Sequence, residues 1–229
     1  MLEKDRYILV LGSKPDSIIP KIEVAHIYTA NGAAERAKLL INDSPNTQLT
    51  SVVGGLEFKK NPEVQKRVIE SSPDCLISRV SDIEIQNYNF SKKITYKFFS
   101  NYKQLMIQSK FFRFGILDII LKEMYYEHKF IDKVKHLLRT IKNSNLTGVS
   151  TGFFAILCAL KNHPDKEIII SGIGMSGGGH YYDVNSNRYS KRSLVDRELI
   201  LNLKNNFKKK LYTTDQNLAL NGKIKIWQT

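Results

Sequence analysis

Cysteine is almost absent from this chain. Its 229 residues include two, Cys75 and Cys158, far apart and each in apolar surroundings. Two distant thiols with no Cys-x-x-Cys pair are expected to be reduced core residues rather than a disulfide framework. Histidine is scarce as well: five scattered copies and no His-Glu-x-x-His stretch give no expectation of a dedicated transition-metal site. No apolar run reaches the ~18–20 residues that a membrane span needs. The opening MLEKDRYILVLGSKPDS lacks the shape of a signal peptide, because acids precede its short apolar core, Tyr7 to Leu11, and no small-residue cleavage site follows. The expectation is a cytoplasmic protein. Acids are outnumbered too, 22 against 35 Lys and Arg, which leaves a formal net charge of +13 and a pI near 9.6. A field of that sign attracts polyanions such as nucleic acid, anionic lipid, or phosphorylated glycans and nucleotides. It names a class of partner and not an activity.

What is present is globular in kind. Hydrophobic residues make up 42% and charged residues 25%, which argues against disorder. The length suits a single domain over 1–229, or one domain with a lobe set into it. Tyr7–Leu11 is a short continuous apolar run closed by Gly12, the pattern of a strand buried on both faces. GSKPDS follows as a turn. Val24–Thr29 predicts a second strand, running through Asn31-Gly32 into a helix, and Leu49–Val53 a third, broken by Gly54-Gly55. This strand–loop–helix rhythm predicts an α/β fold, a mostly parallel sheet flanked by helices with its loops gathered at one edge. Between Ile83 and Ser109 no period is clear, whereas Ile116–Ile141 alternates apolar and charged residues at helical spacing. Residues 85–140 are therefore expected to form an inserted helical lobe. After it, TGVSTGFFAILCALKNHP predicts a turn opening an apolar helix, KEIIIS a strand, SLVDRELILNLKNNFKKK an amphipathic helix with a basic end, and KLYTT and GKIKIW two further strands.

The densest chemistry lies in EIIISGIGMSGGGHYYD, residues 167–183. Read literally, Gly172-x-Gly174-x-x-Gly177 is a dinucleotide fingerprint, with Asp196 where a ribose-binding acid belongs. That motif turns a strand into a helix whose N-terminus meets the pyrophosphate, but here GGHYYDVNSNRYSKRS follows, which is poor helix material. A glycine loop that carries His180, Tyr181 and Tyr182 toward a ligand is the stronger reading, against a merely exposed connection. Arg188 and Arg192, with Lys191, stand a few residues on, where cations and phenol hydroxyls suit a leaving phosphate. Ser150, Thr151 and Gly152 open a helix, a position suited to a cap or to an anion. Gly12, Ser13 and Lys14 follow the first strand and Asn31 the second, on loops expected to converge at the carboxyl edge of the sheet.

Taken together, these segments resemble the sialyltransferase families, small bacterial members included. Those enzymes move a nine-carbon acidic sugar from its cytidine monophosphate (CMP) adduct to a glycan. ILVLGSKPDS resembles the first-strand loop, YTANGA the second-strand segment carrying an Asn, GVSTGFFAILCAL the Ser/Thr-Ser/Thr-Gly motif with its apolar helix, and KEIIISGIG the next strand and its S-G-I turn. HYYD resembles the short His/Tyr-Tyr-Tyr-acid motif of the eukaryotic branch. The likeness covers about residues 7–35 and 145–215. It implies a Rossmann-like fold, and CMP held by Ser13, Asn31 and the Ser150–Gly152 turn, with Gly12, Lys14 and Gly172 beside them. It implies no metal and no cofactor beyond the CMP-sugar donor.

The chain departs from the family pattern at three places. Gly174 stands where the bacterial enzymes place an acid after the S-G-I turn. An arginine before the Ser/Thr-Gly turn is missing, with Gly148 near that place. No histidine follows His180, although the superfamily's base is usually a later histidine just before a helix. Either His180 is the base or the chemistry differs. Enzymes that transfer Kdo from CMP-Kdo share the general fold, and some retain configuration through a carboxylate nucleophile. The sugar (sialic acid, another nonulosonic acid or Kdo) and the stereochemistry thus stay open. The expected partners are the CMP-sugar, a glycan or glycolipid acceptor and an anionic membrane surface. A nucleic-acid-binding protein is the rival reading, because YNFSKKITYKFFSNYK interleaves aromatics with lysines; an NAD enzyme is a weaker one.

Overall fold

The structure, a computed structural model, describes residues 3–44, 46–125, 129–142, 145–174 and 191–228, with the side chains of Glu3 and 191–193 left aside. In chain order the elements are β1 (Tyr7–Leu11), β2 (His26–Ala30), α1 (Ala34–Asp43), β3 (Gln48–Gly54), α2 (Gly55–Lys60), α3 (Pro62–Ser71), β4 (Cys75–Arg79) and β5 (Thr95–Phe99). Then come α4 (Asn101–Phe111), α5 (Ile116–Tyr125), α6 (Phe130–Ile141), α7 (Thr151–Asn162) and β6 (Glu167–Ser171). The last are α8 (Lys191–Leu201), α9 (Asn205–Lys208), β7 (Leu211–Thr213), α10 (Gln216–Gly222) and β8 (Lys225–Ile226). Among the described residues the strands form one sheet in the order β5-β4-β3-β2-β1-β6-β7-β8, with every named pair parallel. This is the mostly parallel α/β sheet flanked by helices that the strand rhythm predicts, and it is consistent with a Rossmann-like fold.

Why β1 is wholly apolar follows from its place at the centre. Alternate residues of a strand point to opposite faces, and Ile8 and Val10 enter a core beneath α7 while Tyr7, Leu9 and Leu11 enter another beneath α1. With helices on both faces, no position of β1 reaches water, and all five residues are buried. α7 is the main cover of one face. Ala155 through Leu160 are buried without a break, because this helix lies between the sheet and the α4 layer rather than at a surface.

Two strands went unread in the sequence. Cys75–Arg79 pairs with β3, and Thr95–Phe99 with Cys75–Arg79. The stretch assigned to the start of the helical lobe therefore supplies the edge strand β5, and the helical excursion runs from Asn101 to Ile141. The helix expected to end in KNNFKKK is in fact two, α8 and the short α9. Both cysteines are free, and burial pushes the Cys158 thiol up to about 12.

At the amino edge of the sheet lies a partly buried polar cluster. His26 Nε2 lies 2.8 Å from Thr50 Oγ1, its ring stacks on Tyr28 with centroids 4.5 Å apart, and the Tyr28 hydroxyl lies 3.2 Å from His163 Nε2 and accepts from Asn162 Nδ2 at 3.0 Å. Burial, and then the neighbouring His163, push the His26 imidazole down to about 4. The folded state thus takes up this proton less readily than the unfolded chain, whose histidine titrates near 6.5. The stability due to a neutral His26 is complete above about pH 6.5 and is lost as pH falls toward 4, by at most about 3 kcal/mol. Urea unfolding at pH 7.5 and 4.5 measures it. His26→Gln, which keeps a partner for Thr50, is expected to flatten the pH dependence relative to the wild type, and an unchanged slope would refute the assignment.

Candidate functional site at the carboxyl edge

The chain runs outward from β1 to β5, then returns across α7 to place β6 on the other flank of β1. The connections leaving β1 and β6 therefore diverge, and in open parallel sheets ligands bind at such a reversal, at the carboxyl ends of the strands. Gly12–Lys14 leaves β1, Asn31 follows β2, Gly172 follows β6, and Ser150–Gly152 opens α7 at the same edge. The expected convergence of these loops is present. Gly152 packs close to Ile173 just after β6, and Thr151 close to Gly54 at the end of β3.

The exits of β1 and β6 are bound to each other. Gly12 donates from its amide to the Ser171 carbonyl at 2.8 Å, and Lys14 from its amide to the Gly172 carbonyl at 2.9 Å. The Ser171 hydroxyl donates to the Ile18 carbonyl at 2.7 Å, while the Arg36 guanidinium reaches the Gly12 carbonyl at 3.4 Å and the Ser17 hydroxyl. The β1 loop is thereby folded down over the β6 exit. Gly172 sits at φ +69°, and a Cβ on Gly12 would lie 2.2 Å from the Gly172 carbonyl oxygen. These two glycines permit the contact between the two loops.

The other predicted residues also have partners within the protein. Lys14 Nζ pairs with the carboxylate of Asp215, whose second oxygen accepts from the Leu218 amide at 2.7 Å and caps α10. Asn31, at φ +49°, accepts through Oδ1 from the Gly54 amide at 2.9 Å, which ties the β2 exit to the end of β3. Ser13 is buried. Ser150 caps α7, its hydroxyl accepting from the Phe153 amide at 3.4 Å. His180, Tyr181, Tyr182 and Arg188 lie outside the described residues, and Arg192 is placed as backbone in α8.

Sequence reading missed the residues that hold the Ser150–Gly152 turn. Arg79, at the carboxyl end of β4, is 0% exposed. It donates to Gln104 Oε1 at 2.7 Å, to the Val149 carbonyl at 2.8 Å and to Thr151 Oγ1 at 3.3 Å, and its guanidinium lies 4.4 Å from the Phe154 ring centre. From α4, Gln108 donates to the Thr147 carbonyl at 3.2 Å and accepts from the Val149 amide at 3.0 Å. From α8, the buried Asp196 carboxylate accepts from the Ser150 amide at 2.7 Å. Asp196 thus places its negative charge at the positive end of α7. Arg79 reaches this turn from β4, and Gly148, at φ +77°, leaves room for the Gln108 amide. The one available signal was an arginine closing the apolar run CLIS.

In YNFSKKITYKFFSNYK, by contrast, Tyr88, Phe90 and Tyr96 pack against the core beside α2 and α3, and Phe99 meets Phe154 edge-on at 5.9 Å. Lys92, Lys93 and Lys97 point outward. Those lysines and these four aromatics therefore do not share one exposed face, whereas Tyr102 stands exposed beside the exposed Lys103. Among the described residues no group of three or more His, Cys, Asp or Glu side chains is placed to hold a metal ion, and no helix is long and apolar enough to cross a membrane.

Fold and edge together define a class: a parallel α/β protein whose polar loops collect at the reversal between its first and sixth strands. Compared with models of protein families, with curated proteins and with solved structures, the chain matches none.

Proposed function

We propose that the protein is a glycosyltransferase that moves an acidic sugar from its CMP adduct to a glycan acceptor, in bacterial surface polysaccharide or lipopolysaccharide synthesis, working as a peripheral protein on the cytoplasmic side of the inner membrane. One observation carries this reading. The segments that resemble the family's nucleotide-binding motifs come from opposite ends of the chain and meet at one sheet edge. In this reading Ser13, Asn31 and the Ser150–Gly152 turn would border the CMP site, with Lys14 and Arg36 on the loops beside them and the buried Arg79 holding the turn from behind.

In the reaction an acceptor oxygen bonds to the anomeric carbon of the sugar as the bond from that carbon to the CMP phosphate oxygen breaks. The acceptor proton passes to a base, assigned to His180 because an imidazole is the side chain whose ordinary pKa suits that task near neutral pH. Charge develops on the departing phosphate, and Tyr181, Tyr182, Arg188 and Arg192 are assigned to stabilise it. The reading of the donor is tested by thermal shift with CMP, CDP, UDP, NAD and a single-stranded oligonucleotide. A ligand at 100 times its Kd stabilises by about 2.7 kcal/mol, a rise of roughly 5–10 °C for a chain of this size. CMP is expected to give it. A shift with the oligonucleotide or NAD and none with CMP would overturn the proposal. His180→Ala is expected to abolish transfer while leaving the CMP shift in place.

A further inference from the structure

α6 is mounted inside out. At 100° per residue, Phe130, Ile131, Val134, Leu137, Leu138 and Ile141 share an arc of about 120°, the apolar stripe of an amphipathic helix. In a core helix that stripe would face the protein. Here the polar side faces it. His136 Nε2 lies 3.2 Å from Glu123 Oε2 on α5 and its Nδ1 3.3 Å from Asn145 Nδ2. Thr140 receives a bond from the Thr147 hydroxyl at 3.2 Å, and its carbonyl one from Asn101 Nδ2 at 2.9 Å. The apolar stripe is left in water, with Phe130 79%, Ile141 69% and Leu138 51% exposed. α5 extends the surface through Leu117, Leu121 and Tyr125, one turn apart and all exposed. Leu121 and Tyr125 also line an open groove with Phe114, the exposed Asp118 and the Lys122–Glu198 ion pair, so the α5 end of this surface is mixed in charge.

Single exposed apolar residues need no explanation, but a contiguous stripe on two adjacent helices does. Charge identifies what covers it. Lys135 and Lys142 border the arc on one side and Lys133 on the other, Arg139 lies behind, and Asp132 is the one acid on the described part of α6. On α6 the apolar stripe is edged by cations, which matches an anionic bilayer, where the stripe sinks to the headgroup–acyl boundary and the lysines meet phosphates. A second copy of the chain fits poorly, because it would bring the same cations against these, in a molecule already at +13.

We infer that the outer face of α5 and α6 is a membrane-docking surface that lies in the interface of an anionic bilayer. The inference rests on the membrane-peripheral part of the reading above and on nothing about the donor. The test is co-sedimentation of the full chain with vesicles of phosphatidylcholine alone or mixed with phosphatidylglycerol. It is run for wild type, the double variant L138D/I141D and the single variant Phe130→Gln, with CMP thermal shifts and light scattering alongside. Wild type is expected to bind the anionic vesicles at least tenfold more tightly than the neutral ones. L138D/I141D should lose tenfold or more of that affinity with unchanged Tm and CMP shift, and Phe130→Gln a smaller part. Wild-type binding that the variants leave intact would overturn the surface and spare the peripheral reading. No vesicle binding at all would overturn both, and a dimer that L138D/I141D dissolves would make the face a contact between copies. None of these outcomes bears on CMP, so the donor reading stands or falls separately.

Discussion

Arg79→Ala is expected to lower stability by about 3–5 kcal/mol, roughly 10 °C in Tm for a chain of this length. The size follows from what is left behind. A guanidinium with no exposed surface bridges Gln104, the Val149 carbonyl and Thr151, and its removal strands buried acceptors at about 1–3 kcal/mol each, partly relieved by relaxation. Gln104 in turn donates to the Phe99 carbonyl at 2.8 Å, so the loss reaches the end of β5. Arg79→Lys is not a rescue. An ammonium is a point donor, whereas these partners lie on several sides of a planar fork, and the conservative variant is expected to lose at least about 2 kcal/mol. Because Arg79 holds the turn that opens α7, ligand binding at the carboxyl edge should weaken in step, even at temperatures where the variant stays folded. Urea unfolding measures the first effect and ligand titration below Tm the second. A loss under about 1 kcal/mol for the alanine variant would show that the network is not cooperative.

Alanine at either of the paired glycines is the other large expectation. On Gly12 the added methyl would lie 2.2 Å from the Gly172 carbonyl oxygen; on Gly172 it would lie 2.6 Å from the Gly12 carbonyl oxygen, with φ at +69°. Overpacking against backbone costs about 1–3 kcal/mol, and a non-glycine residue in the left-handed region about 1–2 more. Neither cost is escaped by a rotamer change, since the obstacle is main chain. Each variant is expected to lose about 3 kcal/mol, and the double variant no less than the worse single, because both press on the same contact. Denaturant midpoints at constant m-value would show this. If Gly12→Ala were neutral in stability and harmful only to ligand binding, the glycine would be reserved for a ligand and not for the β6 loop.

How legible all this was in the sequence depended on locality. β1, β2, β3 and β6 are central strands, hydrophobic on both faces and closed by glycine or a turn, and their apolar runs announce them. β4 is five residues ending in arginine, and β5 is an edge strand whose outward positions are Thr95 and Lys97. β4 offers only the short run CLIS before its arginine and β5 only a Thr-Tyr-Lys-Phe alternation, too little to stand out locally, and tertiary pairing makes them strands. The loops Gly12–Lys14 and Ser150–Gly152 were legible for the same local reason. Arg79, Gln104, Gln108 and Asp215 were not, and Asp196 stood out only as the acid of a literal dinucleotide fingerprint, not as the partner of the Ser150 amide. Arg79, Gln108 and Asp196 act on backbone groups far along the chain, Gln104 and Asp215 on the distant side chains of Arg79 and Lys14, and a buried arginine looks no different in sequence from a solvated one. His180, Tyr181 and Tyr182 remain expectations of the glycine-rich stretch alone.

The position of β1 bears on how the chain reaches its folded state. Its first strand is a central one, and Tyr7 is in register with Glu167, about 160 residues further on. Parallel partners so distant form contacts that close large loops late, and topologies rich in them fold slowly. During synthesis β1 can join β2 and its neighbours, but its other flank stays an open edge until β6 has left the ribosome. For that interval Tyr7–Leu11, wholly apolar, is an unpaired strand edge of the kind that aggregates. Low soluble yield on rapid overexpression, relieved by slower synthesis, is the practical consequence of putting the chain's most hydrophobic beginning at the middle of its sheet.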